Sequence, residues 1–284
     1  MRKLNFYNED AFDFYEDVIK SKRNSKDDLD YKQRLTSHNE TIKLLYSNYD
    51  KNFSSNSLQL LSRHGFVGSD KDDLHRLYSY KAKKFQNLKI KLTTTDSNKK
   101  ISTCQNCTIS EVNSFDHFVP QEEFAEFVVN PKNLFPSCTK CNGFKSTAWR
   151  EGNKKLFLNL YLDSLPEEQY LFVNIINVNG SIETDFYLDN PSGIDQELFE
   201  LIHNHYTKLR LCPRFSENAD SVITELENSI KNTAKRLPRS EVIDTIVETA
   251  SDNKAAFGYN YWKSVLEIAL VRDAAFMNTF EWNN

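Results

Sequence analysis

Residues 114–121 read SFDHFVPQ, an aspartate and a histidine side by side, then an apolar pair and a proline. On either side stands a Cys-x-x-Cys pair: Cys104-Gln-Asn-Cys107 before it and Cys138-Thr-Lys-Cys141 after it, 30 residues apart. Two such knuckles suit one tetrahedral ion held by four thiolates, because each turn lets backbone amides point at its sulfurs. The pattern predicts a structural zinc that staples a module with too little apolar core to fold unaided. Cys212 lies far away in sequence and reads as an apolar filler.

The composition frames this module. Of 284 residues, 39% are hydrophobic, enough for a core despite 27% charged residues. Twenty Phe and 13 Tyr against seven Gly and seven Pro argue for helices with aromatic packing, not a turn-rich β protein. No apolar run approaches the roughly 20 residues of a membrane span. The acidic, aromatic start, MRKLNFYNEDAFDFYEDV, has no signal-peptide pattern, which points to the cytoplasm and to reduced cysteines.

Charge is unevenly placed on a chain of net charge −4. Residues 74–100 hold eight basic side chains, among them Lys81, Lys83, Lys84, Lys89 and Lys91, against the single acid Asp96. From 151 to the end, acids outnumber bases 21 to 12. A local basic run before the cysteines suits the phosphates of a nucleic acid, with a solvated helical face as the plainer explanation.

Residues 1–92 read as mainly helical. Asn8 is placed to cap a helix carrying Phe12, Tyr15 and Ile19 on one face; further helices fit 40–49, 58–63 and 72–87. Residues 93–100 form a polar linker. Two strand-like runs flank Asn179-Gly180, a strong hairpin signal. Helices follow at 194–210, 217–236, 238–251 and 257–280, with Ser240 a possible cap. Three regions result: a helical 1–95 with the basic segment 74–100, the cysteine module 96–150, and 151–284 with a hairpin and acidic helices.

DHFVP, then NPKNLF, then CTKCNGFKST, in this order, resembles the HNH endonucleases, whose site is a ββα-metal fold. The likeness spans about 45 residues, from Cys104 to Trp149. It implies a mainly α protein with a small ββα-metal core and an additional hairpin. His117 matches the general base, and Asp116 matches a ligand of the catalytic metal. Asn142 stands at the position of the second metal ligand, where the family's name has His. Asn133 matches the middle Asn that fixes the loop and the base. Lys145 falls where a helix residue can meet a phosphate. Members with Asp-His at the start and Asn at the end resemble phage resolvases and the HNH domain of RNA-guided nucleases. Oxygen donors of this kind favour Mg²⁺ or Mn²⁺.

The expected reaction is phosphodiester hydrolysis, in DNA rather than RNA. A ribonuclease on the same site, for example one cutting tRNA, and a non-catalytic zinc module that binds nucleic acid are the alternatives. In layout, helical flanks around a small HNH module with an acidic tail look like the HNH components of bacterial anti-phage systems of the Septu and retron-associated types. That likeness implies an ATPase partner and an antiviral role.

Overall fold

The computed structural model describes residues 1–23, 26–178 and 180–282. The described chain is mainly helical with short antiparallel hairpins, and it divides into two compact units. Among the described residues, no helix is long and apolar enough to cross a membrane.

One unit comprises Lys3–Asn106 and Ser110–Ser164. It opens with helices α1 (Ala11–Ser21), α2 (Tyr31–Ser37), α3 (Asn39–Ser54), α4 (Gly68–His75) and α5 (Lys83–Leu92). The side chain of Asp10, not Asn8, caps α1: its Oδ1 accepts from the Phe12 amide at 2.7 Å. Helix α3 buries Ile42, Tyr46, Tyr49 and Phe53, a stripe at helical spacing. Tyr46 meets Tyr15 edge-on with ring centroids 5.8 Å apart, and Tyr49 meets Phe127 at 4.7 Å. The core of this unit is therefore aromatic.

The helices of this unit depart from the sequence pattern at three places. Only one 3₁₀ turn, Leu58–Leu60, forms where a helix over 58–63 was expected. The stretch expected as one helix over 72–87 is two, α4 and α5. The break places the Tyr78 ring against Phe85 and against His117, at 5.2 and 4.9 Å, so tertiary packing overrides local propensity. Helix α2 has no forerunner in the pattern; it sits where Arg34 joins Asp28 and Asp73.

After α5 come strands β1 (Ser114–His117) and β2 (Leu134–Ser137), helix α6 (Thr139–Lys145), and a two-residue hairpin, β3 (Arg150–Glu151) with β4 (Lys154–Lys155). Strands β1 and β2 are antiparallel, with Ser114 opposite Ser137 and His117 opposite Leu134. Both strands are buried almost throughout, so neither shows the alternation of a half-solvated strand.

The other unit comprises Met1–Arg2, Cys107–Ile109 and Leu165–Asn284. Strands β5 (Leu171–Val178) and β6 (Ser181–Leu188) form an antiparallel hairpin. Gly180, at its tip, has φ +87°, a conformation that suits glycine; Asn179 lies outside the described residues. Helices α7 (Gln196–Lys208), α8 (Leu211–Ser216), α9 (Ala219–Thr233), α10 (Arg239–Phe257), α11 (Trp262–Arg272) and α12 (Ala274–Met277) follow. Pro238 occupies the cap position of α10, so Ser240 lies inside the helix. Trp262 stacks on Phe215 at 5.5 Å, with Phe186 edge-on to both. The Asn260 Oδ1 accepts from the amides of Tyr170 and Leu171 at 2.8 and 2.9 Å, tying the start of β5 to the turn before α11.

Candidate active site and cysteine centre

Strand β1 ends on the Asp-His pair, and α6 opens directly after Cys138. The four sulfurs of Cys104, Cys107, Cys138 and Cys141 all lie within 4.8 Å of one another, and all four residues are buried. A tetrahedral zinc with Zn–S bonds of about 2.3 Å needs sulfurs about 3.8 Å apart, so this cluster could hold a metal such as zinc. Cys138 also caps α6: its Sγ accepts from the Cys141 amide at 3.4 Å. Cys104 Sγ lies 3.6 Å from the Ser137 hydroxyl, which in turn accepts from Asn106 Nδ2. Cys212 is not in the cluster; it lies half-buried in α8, where burial pushes its thiol up to about 11.

Asp116, His117 and Asn142 line one cavity of about 500 Å³, together with Tyr78, Tyr80, Asn113 and Glu122. His117 Nε2 lies 2.8 Å from the carbonyl oxygen of Val128. A carbonyl only accepts, so Nε2 carries the proton and a neutral ring keeps its lone pair on Nδ1. Burial pulls the imidazole down to about 4, with lesser contributions from Lys145 and His75; the Val128 bond opposes this. Burial thus favours the neutral form of the ring.

Asn142, on the first turns of α6, donates from Nδ2 to the Phe115 carbonyl at 3.2 Å. That bond fixes the amide and leaves Oδ1 as the atom not used there. Asn133, wholly buried, precedes β2 and pins the loop between the strands. Its Oδ1 accepts from the Val119 amide at 2.8 Å, and its Nδ2 donates to the carbonyls of Val119 and Phe127 at 3.1 and 3.2 Å. The Tyr49 hydroxyl donates to the same Oδ1 at 3.3 Å.

Lys145 points inward, not to solvent. Its Nζ lies 3.1 Å from Asp116 Oδ1 and donates to the His117 carbonyl at 2.7 Å, and it sits 5.9 Å from the centre of the Phe157 ring. Both partners of this ion pair are almost wholly buried. Burial pushes the Asp116 carboxyl up, and Lys145 opposes that push.

The basic segment is divided. Lys84 pairs with Asp17 at 2.6 Å and Lys91 with Glu9 at 2.5 Å, both acids at or next to α1. Lys89 lies 5.8 Å from the centre of the Tyr80 ring, which lines the cavity. Lys81 and Lys83 are exposed. The sequence reading missed Tyr78 and the Val128 carbonyl. The unbroken apolar stretch at 127–129 was the one signal that the loop turns inward.

Together these features define a class of site: a buried hairpin and helix beside a four-cysteine centre, aiming acid, imidazole and amide at one cleft. No family model matches the chain, and no solved structure does. Among curated proteins the chain is similar to Protein ea31 of Escherichia phage lambda, 27% identical over 183 residues, 59% of this chain and 60% of that protein. It is also similar to Septu protein PtuB of Bacillus thuringiensis, 35% identical over 71 residues, 24% of this chain and 26% of that protein. The chain thus spans less than two thirds of the length of either relative.

Proposed function

We propose that the chain is a metal-dependent endonuclease of the HNH type that hydrolyses phosphodiester bonds in DNA. The carrying observation is the convergence of Asp116, His117 and Asn142 on one cavity, with His117 held so that Nδ1 is its acceptor. In this reading Nδ1 takes a proton from water, the water oxygen bonds to phosphorus, and the bond to the leaving oxygen breaks. Val128 orients the ring, and Asn133 holds the loop that carries Val128. Asp116 and the Asn142 Oδ1 are hard oxygen donors, which fits Mg²⁺ or Mn²⁺. An ion there would supply Lewis-acid stabilisation of charge developing on the phosphate. The four thiolates suit zinc in a structural role.

Lys81, Lys83 and Lys89 are the candidates for backbone phosphates, since Lys84 and Lys91 are already paired with acids. The likeness to the Septu protein supports a part in anti-phage defence, and the layout of helical flanks around the cysteine module is our ground for proposing an ATPase as partner. In the cell such a pair would work in the cytoplasm.

The test is incubation of supercoiled plasmid and of total RNA with the purified protein, in Mg²⁺ and in EDTA. Each is run with and without any ATPase encoded beside it. Mg²⁺-dependent nicking or linearisation of the plasmid is expected. Loss of RNA alone would make the chain a ribonuclease, and binding without cleavage of either would make it a zinc module.

A further inference from the structure

On the nuclease reading, the site has an unusual charge balance. Two carboxylates line the cavity: Glu122, exposed and 3.8 Å from Lys71 Nζ, and Asp116, which Lys145 neutralises across 3.1 Å in a buried setting. Asn142, an amide, adds no charge. The ammonium is fully engaged, by the Asp116 carboxylate, the His117 carbonyl and the Phe157 ring face, so it is not placed to leave for a phosphate. A divalent cation entering beside this ion pair meets no net negative charge and a buried positive one close by. Buried charges repel with little screening. A phosphodiester carries the anionic oxygen that the protein does not supply.

We propose that Lys145 is a positioning residue that neutralises Asp116, so that a divalent cation binds the site tightly only together with a nucleic-acid phosphate. The metal would then be recruited by substrate instead of being resident, and the uncomplexed protein would hold its site in an unloaded state.

The experiment measures Mn²⁺ binding by electron paramagnetic resonance, in protein carrying His117→Ala so that DNA survives. Affinity is read with and without a 20-base-pair duplex. We expect the duplex to tighten Mn²⁺ binding by about tenfold or more. Lys145→Met in the same background should tighten Mn²⁺ binding without DNA by a similar factor and shrink the effect of the duplex; Lys145→Arg should restore the original behaviour. Equal Mn²⁺ affinity with and without a bound duplex overturns the proposal, and that comparison does not need the Lys145 variants to fold. So does Lys145→Met protein that is folded by circular dichroism yet binds Mn²⁺ no more tightly. Plasmid cleavage by the unsubstituted protein, assayed alongside, separates the failures. No cleavage contradicts the nuclease reading, whereas cleavage with DNA-independent Mn²⁺ affinity contradicts this inference alone.

Discussion

His117 Nε2 donates to the carbonyl of Val128 across 2.8 Å, joining the end of β1 to the middle of the loop that leads to β2. The bond settles which ring nitrogen is the acceptor, and it makes the geometry of the imidazole depend on a loop with no regular structure beyond one 3₁₀ turn. What holds that loop is Asn133.

Replacing Asn133 with Ala would strand the buried amide and carbonyl of Val119 and leave the Phe127 carbonyl with the Asn130 amide as its remaining donor. Leaving such groups unpaired costs roughly 1–3 kcal/mol each, partly relieved by water. The expected loss is about 2–4 kcal/mol of unfolding free energy by urea titration, a range that assumes partial relief. A loss under about 0.5 kcal/mol would mean that the loop is held by something else.

Removing a thiolate should act on folding first. Cys138 is both a candidate zinc ligand and the cap of α6. Cys138→Ser should abolish stoichiometric zinc by elemental analysis and lower the melting temperature. Structural zinc sites contribute on the order of 10 kcal/mol in small modules, so loss of the folded state of this unit at 37 °C is the expected extreme. Full zinc content in the variant would contradict the assignment.

Acid sensitivity should come in part from the α1–α4 region. Asp28 accepts from Arg34 at 2.8 and 2.9 Å and from Arg76 at 2.9 Å, and these bonds hold its carboxyl down to about 2, from an ordinary value of 3.8. A carboxyl depressed in the folded state binds fewer protons there than in the unfolded chain. Its contribution is therefore fully present above about pH 4 and is lost as pH falls toward 2. Asp28→Asn should flatten the stability profile between pH 4 and 2; an unchanged slope in that window would show that the network does not stabilise the fold.

The sequence carried the order of elements around the site but not their depth. The resemblance to the ββα-metal pattern, not the spacing itself, implied two strands and a helix around the Asp-His pair and the second cysteine knuckle. Spacing of i, i+3 put Asn142 and Lys145 on one face of α6. It could not say that the lysine would turn inward, because that depends on Asp116 and the His117 carbonyl arriving from another strand. Likewise Lys84 and Lys91 read as free cations until α1 brings Asp17 and Glu9 beside them. The break between α4 and α5 was hidden for the same reason: the residues that draw Tyr78 out of a helix, Phe85 and His117, include one far along the chain. Asn8 and Asp10 are both good caps by residue type, and the structure uses Asp10, whose side chain accepts from the Phe12 amide.

The most direct measurement is the rate at which purified wild-type and His117→Ala proteins convert supercoiled plasmid in Mg²⁺, with circular dichroism and zinc content matched between them. General-base catalysis is typically worth about 10²–10⁴-fold, so the substitution should lower the rate by at least about a hundredfold with the fold and zinc retained. A His117→Ala protein that cuts at the wild-type rate would contradict the account.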